Sequence, residues 1–136
     1  MVQNIVSPTD GSDTSFRAME RAVHIAKPFD AKIHVLTVIP EMTRGTQARS
    51  EWEERVKESH ERARKLVESE NLELTLETLE GPVARQIVRY GEDHHADLIV
   101  MGTHGRTGLH RFLVGSVARR TIETSSVPVL TVPPAE

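Results

Sequence analysis

The apolar positions along the chain switch repeatedly between short continuous runs and helical spacing. A short run at Ile5 and Val6 is followed, from Asp13 to Pro28, by apolar residues at every third or fourth position. A β-branched and almost continuous apolar run then fills residues 32–39. Continuous runs are typical of strands covered on both faces, and helical spacing is typical of amphipathic helices. The first third of the chain therefore predicts a strand, a helix and a second strand.

The rest of the chain repeats this alternation. Residues 49–70 are highly charged but keep one apolar stripe, which predicts a surface helix, and the alternation of Leu72, Leu74 and Leu76 with polar residues predicts a half-exposed strand near a sheet edge. Further elements are predicted as a helix after Gly81 and Pro82, a strand over 96–101, a helix over 116–124, and a last strand from Val127 to Val132. Strands that alternate with helices predict an α/β fold, in which a doubly wound, five-stranded parallel sheet lies between helices on both faces in a three-layer sandwich.

Composition limits the kinds of protein that this chain can be. With 136 residues, 38% hydrophobic and 27% charged, residues 1–136 are expected to form one domain. The absence of cysteine excludes disulfides, thiol chemistry and cysteine-based zinc sites. No apolar run approaches the roughly 18 residues of a membrane span, and no secretory signal is visible after Met1. A cytoplasmic protein without a membrane partner is expected.

Charge is distributed unevenly along the chain. The net charge is −3, but residues 102–122 carry four arginines and no acid, so this segment has a charge of +4 and the remainder −7. A local basic patch on an acidic protein favours a small anionic ligand over a nucleic acid, because nucleic-acid-binding domains are usually basic overall. A solvated loop that happens to be basic is the alternative.

The same segment carries glycines at a regular spacing, G-x2-G-x9-G-S, formed by Gly102, Gly105, Gly115 and Ser116. Glycine permits a close approach of the backbone to an anion and positive φ angles, and a helix that begins near Ser116 would offer free N–H groups to a phosphate. Ser116 would either bind the phosphate or cap the helix, and a simple glycine-rich turn is the alternative for the whole segment. Neither the P-loop motif nor the G-x-G-x-x-G dinucleotide motif occurs in the chain.

Four segments give the chain a resemblance to a known family: IVSPTDGS at 5–12, ADLIVMGTHGR at 96–106, GSVA at 115–118 and PVL at 128–130. Over essentially its full length, the chain resembles the nucleotide-binding branch of the universal stress protein family. The glycine spacing is the ATP-binding signature of that family. The resemblance implies the adenine nucleotide α-hydrolase-like version of the fold described above, with ATP as the ligand and Mg²⁺ accompanying its phosphates.

The resemblance also implies roles for residues at the ends of the first two strands. Asp10, with Pro8 and Thr9 beside it, is expected to lie against the nucleoside and to accept a hydrogen bond from the ribose or the base. A turn or helix-cap aspartate is the alternative. Val38 matches the position at which the backbone meets the adenine, although the sequence alone would make it a core valine.

The remaining positions that the resemblance implicates follow the fourth strand. Met101 and Gly102 are expected to form the floor under the ribose. Backbone N–H groups are expected to hold the phosphates at Gly105, Gly115, Ser116 and Val117. Arg106 and Arg111 would add positive charge, or else remain solvated loop arginines.

The family forms dimers by pairing the last strand of each subunit, and the strand from Val127 to Val132 fits this use. The alternative is an unpaired edge strand whose prolines prevent association.

The expected function is that of an ATP-binding regulatory module of the stress response that acts as a homodimer, with no residue assigned to catalysis. The alternatives are a slow ATP hydrolase, an adenylating enzyme and a ligand-free dimeric scaffold. The adjacent His94 and His95 are interpreted as solvated residues at a helix end rather than as metal ligands.

Overall fold

The computed structural model describes residues 1–41, 45–104 and 114–135. These residues build a five-stranded sheet whose strands are β1 (Asn4–Pro8), β2 (Lys32–Ile39), β3 (Leu74–Glu80), β4 (Leu98–Gly102) and β5 (Val129–Val132). The α-helices of the described residues are α1 (Asp13–Ala26), α2 (Gln47–Ser69), α3 (Val83–Asp93) and α4 (Ser116–Thr124), and a 3-10 helix at Lys27–Phe29 follows α1. All strand pairs are parallel, and the strand order is β3-β2-β1-β4-β5. The predicted α/β fold is confirmed.

Two hydrophobic cores lie on the two faces of the sheet, because successive strand residues point to opposite sides. Ile5 packs in the core that includes residues of α1 and α2, whereas its neighbour Val6 packs in the core that includes residues of α3 and α4. In β2, Val35 packs in the first of these cores and its neighbour Leu36 in the second. Because both faces of these strands are buried, the strands must be apolar at nearly every position, as the sequence pattern indicated.

Helix α1 begins at Asp13, where the helical spacing of the sequence begins, and Ser12 caps it. The hydroxyl of Ser12 accepts a hydrogen bond from the backbone N–H of Ser15 at 3.1 Å. Gly11, with φ of +84°, makes the left-handed turn that precedes this cap. The turn brings the amino end of α1 directly behind the carboxyl end of β1.

Three strands begin two residues later than the sequence pattern predicts, because the residues before them belong to turns. The N–H of Leu72 donates to the carbonyl of Val67, and the N–H of Ala96 donates to the carbonyl of Gly91, so both residues close the preceding helix. The N–H of Val127 donates to the hydroxyl of Ser125. The strands that follow are β3, β4 and β5 respectively, and β3 lies at a sheet edge as predicted.

The strand order reverses at β1, which has β2 on one side and β4 on the other. In open parallel sheets, ligands bind outside the carboxyl ends of the strands at such a point. None of the helices in the three described ranges combines the length and apolarity needed to cross a membrane.

Candidate functional site

A cavity of about 310 Å³ lies at the carboxyl ends of β2, β1 and β4. Its volume is at the lower end of the range typical of small-molecule sites, roughly 300–1,000 Å³. Nine of the residues singled out from the sequence line it: Pro8, Thr9, Asp10, Val38, Met101, Gly102, Gly115, Ser116 and Val117. The other two, Gly105 and Arg106, lie outside the described residues, as does Arg111.

The loop after β1 is fixed by hydrogen bonds of its own side chains. One carboxylate oxygen of Asp10, Oδ1, accepts the backbone N–H of Ser12 at 2.9 Å. The hydroxyl of Thr9 lies 2.8 Å from the hydroxyl of Ser15 and accepts the N–H of Gly11 at 3.1 Å. Asp10 is therefore a turn aspartate that also lines the cavity, and the turn holds its carboxylate at the cavity wall.

The amino end of α4 presents free backbone donors to the cavity. Gly115 is the N-cap residue, and its own N–H donates to the carbonyl of Thr103 at 2.7 Å, which ties the helix to the end of β4. The first N–H that bonds back to the cap carbonyl is that of Arg119, so the N–H groups of residues 116–118 have no partner within the helix. Together with the positive end of the helix dipole, these groups form an anion site.

Two possibilities that the sequence left open for this segment are not realised. Ser116 does not cap α4, because it is the first helical residue and the cap position is occupied by Gly115 without a side-chain bond. Gly102 does not adopt a positive φ, since the described glycines that do so are Gly11, Gly45 and Gly81. A Cβ at Gly102 would instead lie 2.7 Å from Cγ2 of Thr14 in the first turn of α1. The close approach that requires glycine here is therefore between β4 and α1.

The cavity has two chemically different ends. Beyond β2 and at the start of α3 its lining is apolar, formed by Val38, Pro40, Trp52, Val83 and Ile87. Beyond β4 and at the start of α4 it is more polar, with Thr103, His104 and Ser116 among its residues. The ring of His104 is almost fully buried, and its Nδ1 lies 2.7 Å from the hydroxyl of Thr103. A ligand with an apolar ring system at one end and an anionic group at the other matches this arrangement.

Some of these residues were missed from the sequence. Trp52 lies in the surface helix predicted over residues 49–70, Val83 and Ile87 follow Pro82 in the next predicted helix, and Pro40 follows the second predicted strand. The sequence pattern marks none of the four as a residue of the site. Topology could have indicated these residues, because each of the four lies near the end of a strand or the beginning of a helix. Both positions are at the carboxyl edge of the parallel sheet, where ligands bind.

The neighbouring histidines 94 and 95 lie at the end of α3, and His94 does more than face solvent. Its ring stacks on that of Tyr90 with centroids 3.8 Å apart, and its Nδ1 lies 2.9 Å from the Tyr90 carbonyl oxygen. Both histidines are exposed at the helix end, as the sequence predicts, and His94 in addition packs on Tyr90. Among the described residues, no cluster of three or more histidine, aspartate or glutamate side chains could hold a metal ion.

A doubly wound α/β sheet with a cavity at its switch point defines a class of ligand-binding proteins, and comparison with known proteins identifies the family. The model of the universal stress protein family matches residues 1–133, so the chain belongs to the universal stress protein family. The universal stress protein MJ0531 of Methanocaldococcus jannaschii is 41% identical over 140 residues, and the match covers 97% of this chain and 82% of that protein.

Two solved structures extend this comparison. The structure of MJ0577 from the same organism has a TM-score of 0.88 at 28% identity and covers 100% of this chain and 99% of that one. A universal stress protein crystallised in complex with cAMP has a TM-score of 0.78 at 26% identity, with 96% of this chain and 97% of that chain covered. The fold is thus shared with a relative that binds an adenine nucleotide.

Proposed function

We propose that this universal stress protein binds ATP in the cavity at the carboxyl ends of β1, β2 and β4, and that it acts as a nucleotide-dependent regulatory module. The observation that carries the proposal is the amino end of α4, where backbone donors without a partner in the helix lie at a cavity whose other end is apolar. The cAMP complex of a relative supports an adenine nucleotide as the ligand class.

The nucleotide is oriented by the two ends of the cavity. The base lies at the apolar end, against Pro8 and the backbone of Val38, and the carboxylate of Asp10 accepts a hydrogen bond from the ribose. Met101 and Gly102 form the floor under the ribose. The phosphates lie at the amino end of α4, beside the N–H groups of Ser116 and Val117. The N–H of Gly115, which was also expected to hold them, donates to the carbonyl of Thr103 instead. In this proposal Gly105 and Arg106, which follow β4, complete the phosphate side.

The side chains that line the cavity are compatible with Mg²⁺ bound mainly through the nucleotide. Within the described lining, Asp10 is the one carboxylate, and its Oδ1 already accepts a backbone hydrogen bond. Mg²⁺ usually keeps several waters and binds substrate phosphates with one or two carboxylates, so such a sparse protein contribution is sufficient. The ion would neutralise phosphate charge, while the backbone donors of α4 hold the phosphates in place.

A module that binds and releases ATP fits this lining better than an efficient hydrolase. Hydrolysis needs a base that positions water beside the terminal phosphate. Asp10 is the one carboxylate of the described lining, and we assign it to the ribose, so it does not act as that base in this proposal. A slow ATP hydrolase on the same scaffold remains the second candidate, because the buried ring of His104 lies at the phosphate end.

The first experiment identifies the ligand that the protein carries. The purified protein is heat-denatured, the precipitate is removed, and the released small molecules are identified and quantified per chain by liquid chromatography with mass spectrometry. ATP at close to one molecule per chain is the expected result. If no nucleotide is released and equilibrium dialysis with MgATP also detects none, the ligand-free scaffold replaces this proposal. The products formed from added ATP distinguish the two alternative enzymes. ADP and phosphate indicate a hydrolase, and AMP and pyrophosphate indicate an adenylating enzyme.

A matched pair of variants tests the position of the phosphates. Val117 and Ile122 are both exposed β-branched residues of α4, but only Val117 lines the cavity. V117D adds a negative charge beside the proposed phosphates and should weaken ATP binding about tenfold or more, because a charge pair at close range in a partly shielded site is worth more than 1 kcal/mol. I122D should bind ATP as the wild type does. Equal affinities of the two variants in isothermal titration calorimetry would contradict the assignment.

The second part of the proposal is that two chains form a dimer through their last strands. β5 pairs with β4 on one side and forms an edge of the sheet. Leu130 in this strand is 37% exposed. An apolar edge strand that is left unpaired is prone to association, and pairing with a second copy covers it.

A further inference from the structure

Trp52 is the single tryptophan of the sequence and lies on the wall of the cavity. It is half-buried in the second turn of α2 and belongs to neither of the two buried cores. The buried residues of α2 are Ser59, Ala63 and Val67, which lie further along the helix. The indole thus contributes its large apolar surface to the cavity and not to the cores that stabilise the fold.

The first turn of α2 is held beside the ends of β2 and β3. Nη1 of Arg49 lies 3.0 Å from Oε1 of Glu80, the last residue of β3. The next residue, Gly81, donates its N–H to the carbonyl of Ile39 at the end of β2. These contacts connect α2 to the apolar end of the cavity, so the position of Trp52 does not depend on the indole alone.

One face of the Trp52 ring is already covered. The guanidinium of Arg55, three residues further along α2, lies over the ring with its carbon 5.1 Å from the ring centroid. The same guanidinium lies 3.8 Å from the carboxylate of Glu51, which holds it near this position. A cation on one face of an indole leaves the other face for stacking with a second aromatic system.

We propose that Trp52 stacks on the base of the bound nucleotide and makes the cavity selective for purine over pyrimidine nucleotides. This inference rests on the proposed function, which puts the phosphates at α4 and therefore the base at the end that Trp52 shares with Val38 and Pro40. A purine offers a larger π surface than a pyrimidine, so stacking favours it. The nucleobase then lies between the indole and the apolar ends of the strands.

Trp52 itself reports nucleotide binding in the wild-type protein, because it is the single tryptophan of the sequence. Tryptophan fluorescence is recorded while MgATP or MgCTP is added, and binding of each nucleotide is measured independently by equilibrium dialysis. ATP is expected to change the fluorescence of Trp52 at the concentrations at which dialysis detects binding, and CTP is expected to bind more weakly. Dialysis that detects no ATP would remove the proposed function together with this inference. Saturation with ATP that leaves the fluorescence unchanged would remove this inference alone.

Variants separate the base end of the cavity from the phosphate end. W52A should weaken ATP binding roughly tenfold, within the range that aromatic–base stacking provides, and should reduce the preference for ATP over CTP. W52F keeps an aromatic ring and should retain most of the affinity. V56A is the matched control, since Val56 is a half-buried residue one turn further along the same helix and does not line the cavity.

Inorganic tripolyphosphate with Mg²⁺ serves as the ligand without a base. Its affinity should be equal in wild type and W52A, because stacking does not act on it. A loss of tripolyphosphate binding in W52A equal to the loss of ATP binding would overturn the proposal, since it would show a general distortion of the cavity. Unchanged ATP affinity in W52A would also overturn it. Thermal unfolding of each variant verifies that it is folded. If W52A does not fold, the fluorescence titration of the wild-type protein decides, because saturation with ATP that leaves the fluorescence unchanged overturns the proposal.

Discussion

His34 is a buried histidine at the amino end of the sheet, opposite to the cavity. Its Nε2 donates to Oδ1 of Asn4 at 2.9 Å, and its Nδ1 lies 2.9 Å from the hydroxyl of Tyr90, which donates to it. Burial, with smaller contributions from the charges of Lys32 and His94, lowers the pKa of His34 from 6.5 to about 4. Burial similarly raises the pKa of Tyr90 to about 12. Both rings are therefore neutral in the folded protein near pH 7.

This pKa makes folding stability depend on pH. Well above pH 6.5, His34 is neutral in both the folded and the unfolded chain, and its contribution does not change. As pH falls from 6.5 toward 4, the unfolded chain binds a proton that the folded protein does not, so the free energy of unfolding decreases. Between pH 7.5 and 5 the expected decrease from this residue is about 2 kcal/mol.

Urea unfolding of wild type and H34Q at several pH values measures this effect. Glutamine stays neutral, so H34Q should show a smaller decrease in the free energy of unfolding over the same pH interval, whatever its stability at pH 7.5. The half-buried His60, whose pKa burial also lowers, remains in both proteins and cancels in the comparison. Identical pH dependence of the two proteins would show that His34 is protonated without penalty in the fold.

At the scale of single residues, the sequence predicted which positions line the cavity better than it predicted what each one does. Asp10 was expected to be either a ligand contact or a turn residue, and the structure shows the turn bond together with a place on the cavity wall. Trp52 and the pairing of Tyr90 with His94 were missed. Tyr90 and His94 are four residues apart on one helix face, so the spacing carried a signal for that pair that went unused. The place of Trp52 on the cavity wall depends on how α2 packs beside the ends of β2 and β3, and no local pattern encodes such packing.

At the scale of elements, the contact between β4 and α1 explains a glycine that the sequence assigned to the ligand. G102A would bring a methyl group to within 2.7 Å of Cγ2 of Thr14 and 3.3 Å of the Thr14 carbonyl carbon. Overpacking of this kind costs about 1–3 kcal/mol. The expected result is a lower midpoint of urea unfolding for G102A.

The variant T14S removes the methyl group that the new side chain would meet. The double variant G102A/T14S should therefore recover part of the stability that G102A loses, measured against T14S alone in a double-mutant cycle. An equal loss with and without the Thr14 methyl group would show that backbone geometry, and not this contact, is the reason for glycine.

The elements themselves could largely be predicted from the sequence. The β-branched apolar run predicted the bounds of β2 correctly, and the helical spacing of apolar residues predicted those of α4. Both segments begin and end at clear breaks in the hydrophobic pattern. Three strand starts were wrong because Leu72, Ala96 and Val127 are apolar yet satisfy their N–H groups in turns. An apolar residue can be buried either in a strand or in the turn before it, so the sequence pattern alone does not distinguish the two. The partner of its backbone N–H group does.

At the scale of the whole molecule, the free edge of β5 has a defined set of backbone groups. The carbonyls of Pro128 and Val132 accept hydrogen bonds from Ile99 and Thr103 on the β4 side. Successive residues of a strand direct their backbone groups to opposite sides, so Leu130 also faces β4, whereas Val129 and Thr131 direct their N–H and C=O groups to the other side. The backbone groups of Thr131 therefore face the open edge, at which the proposed dimer would form.

The substitution T131P tests the dimer without breaking the sheet. Proline removes an N–H that points away from β4, and sheet edges tolerate proline at such positions. In the control T131V this N–H is retained together with a side chain of similar size. The expected result of analytical ultracentrifugation is a dimer for wild type and T131V and a monomer for T131P, all with similar circular dichroism spectra. A folded T131P that remains dimeric would place the interface elsewhere, because antiparallel or parallel pairing of two β5 strands would need the backbone donor of this residue.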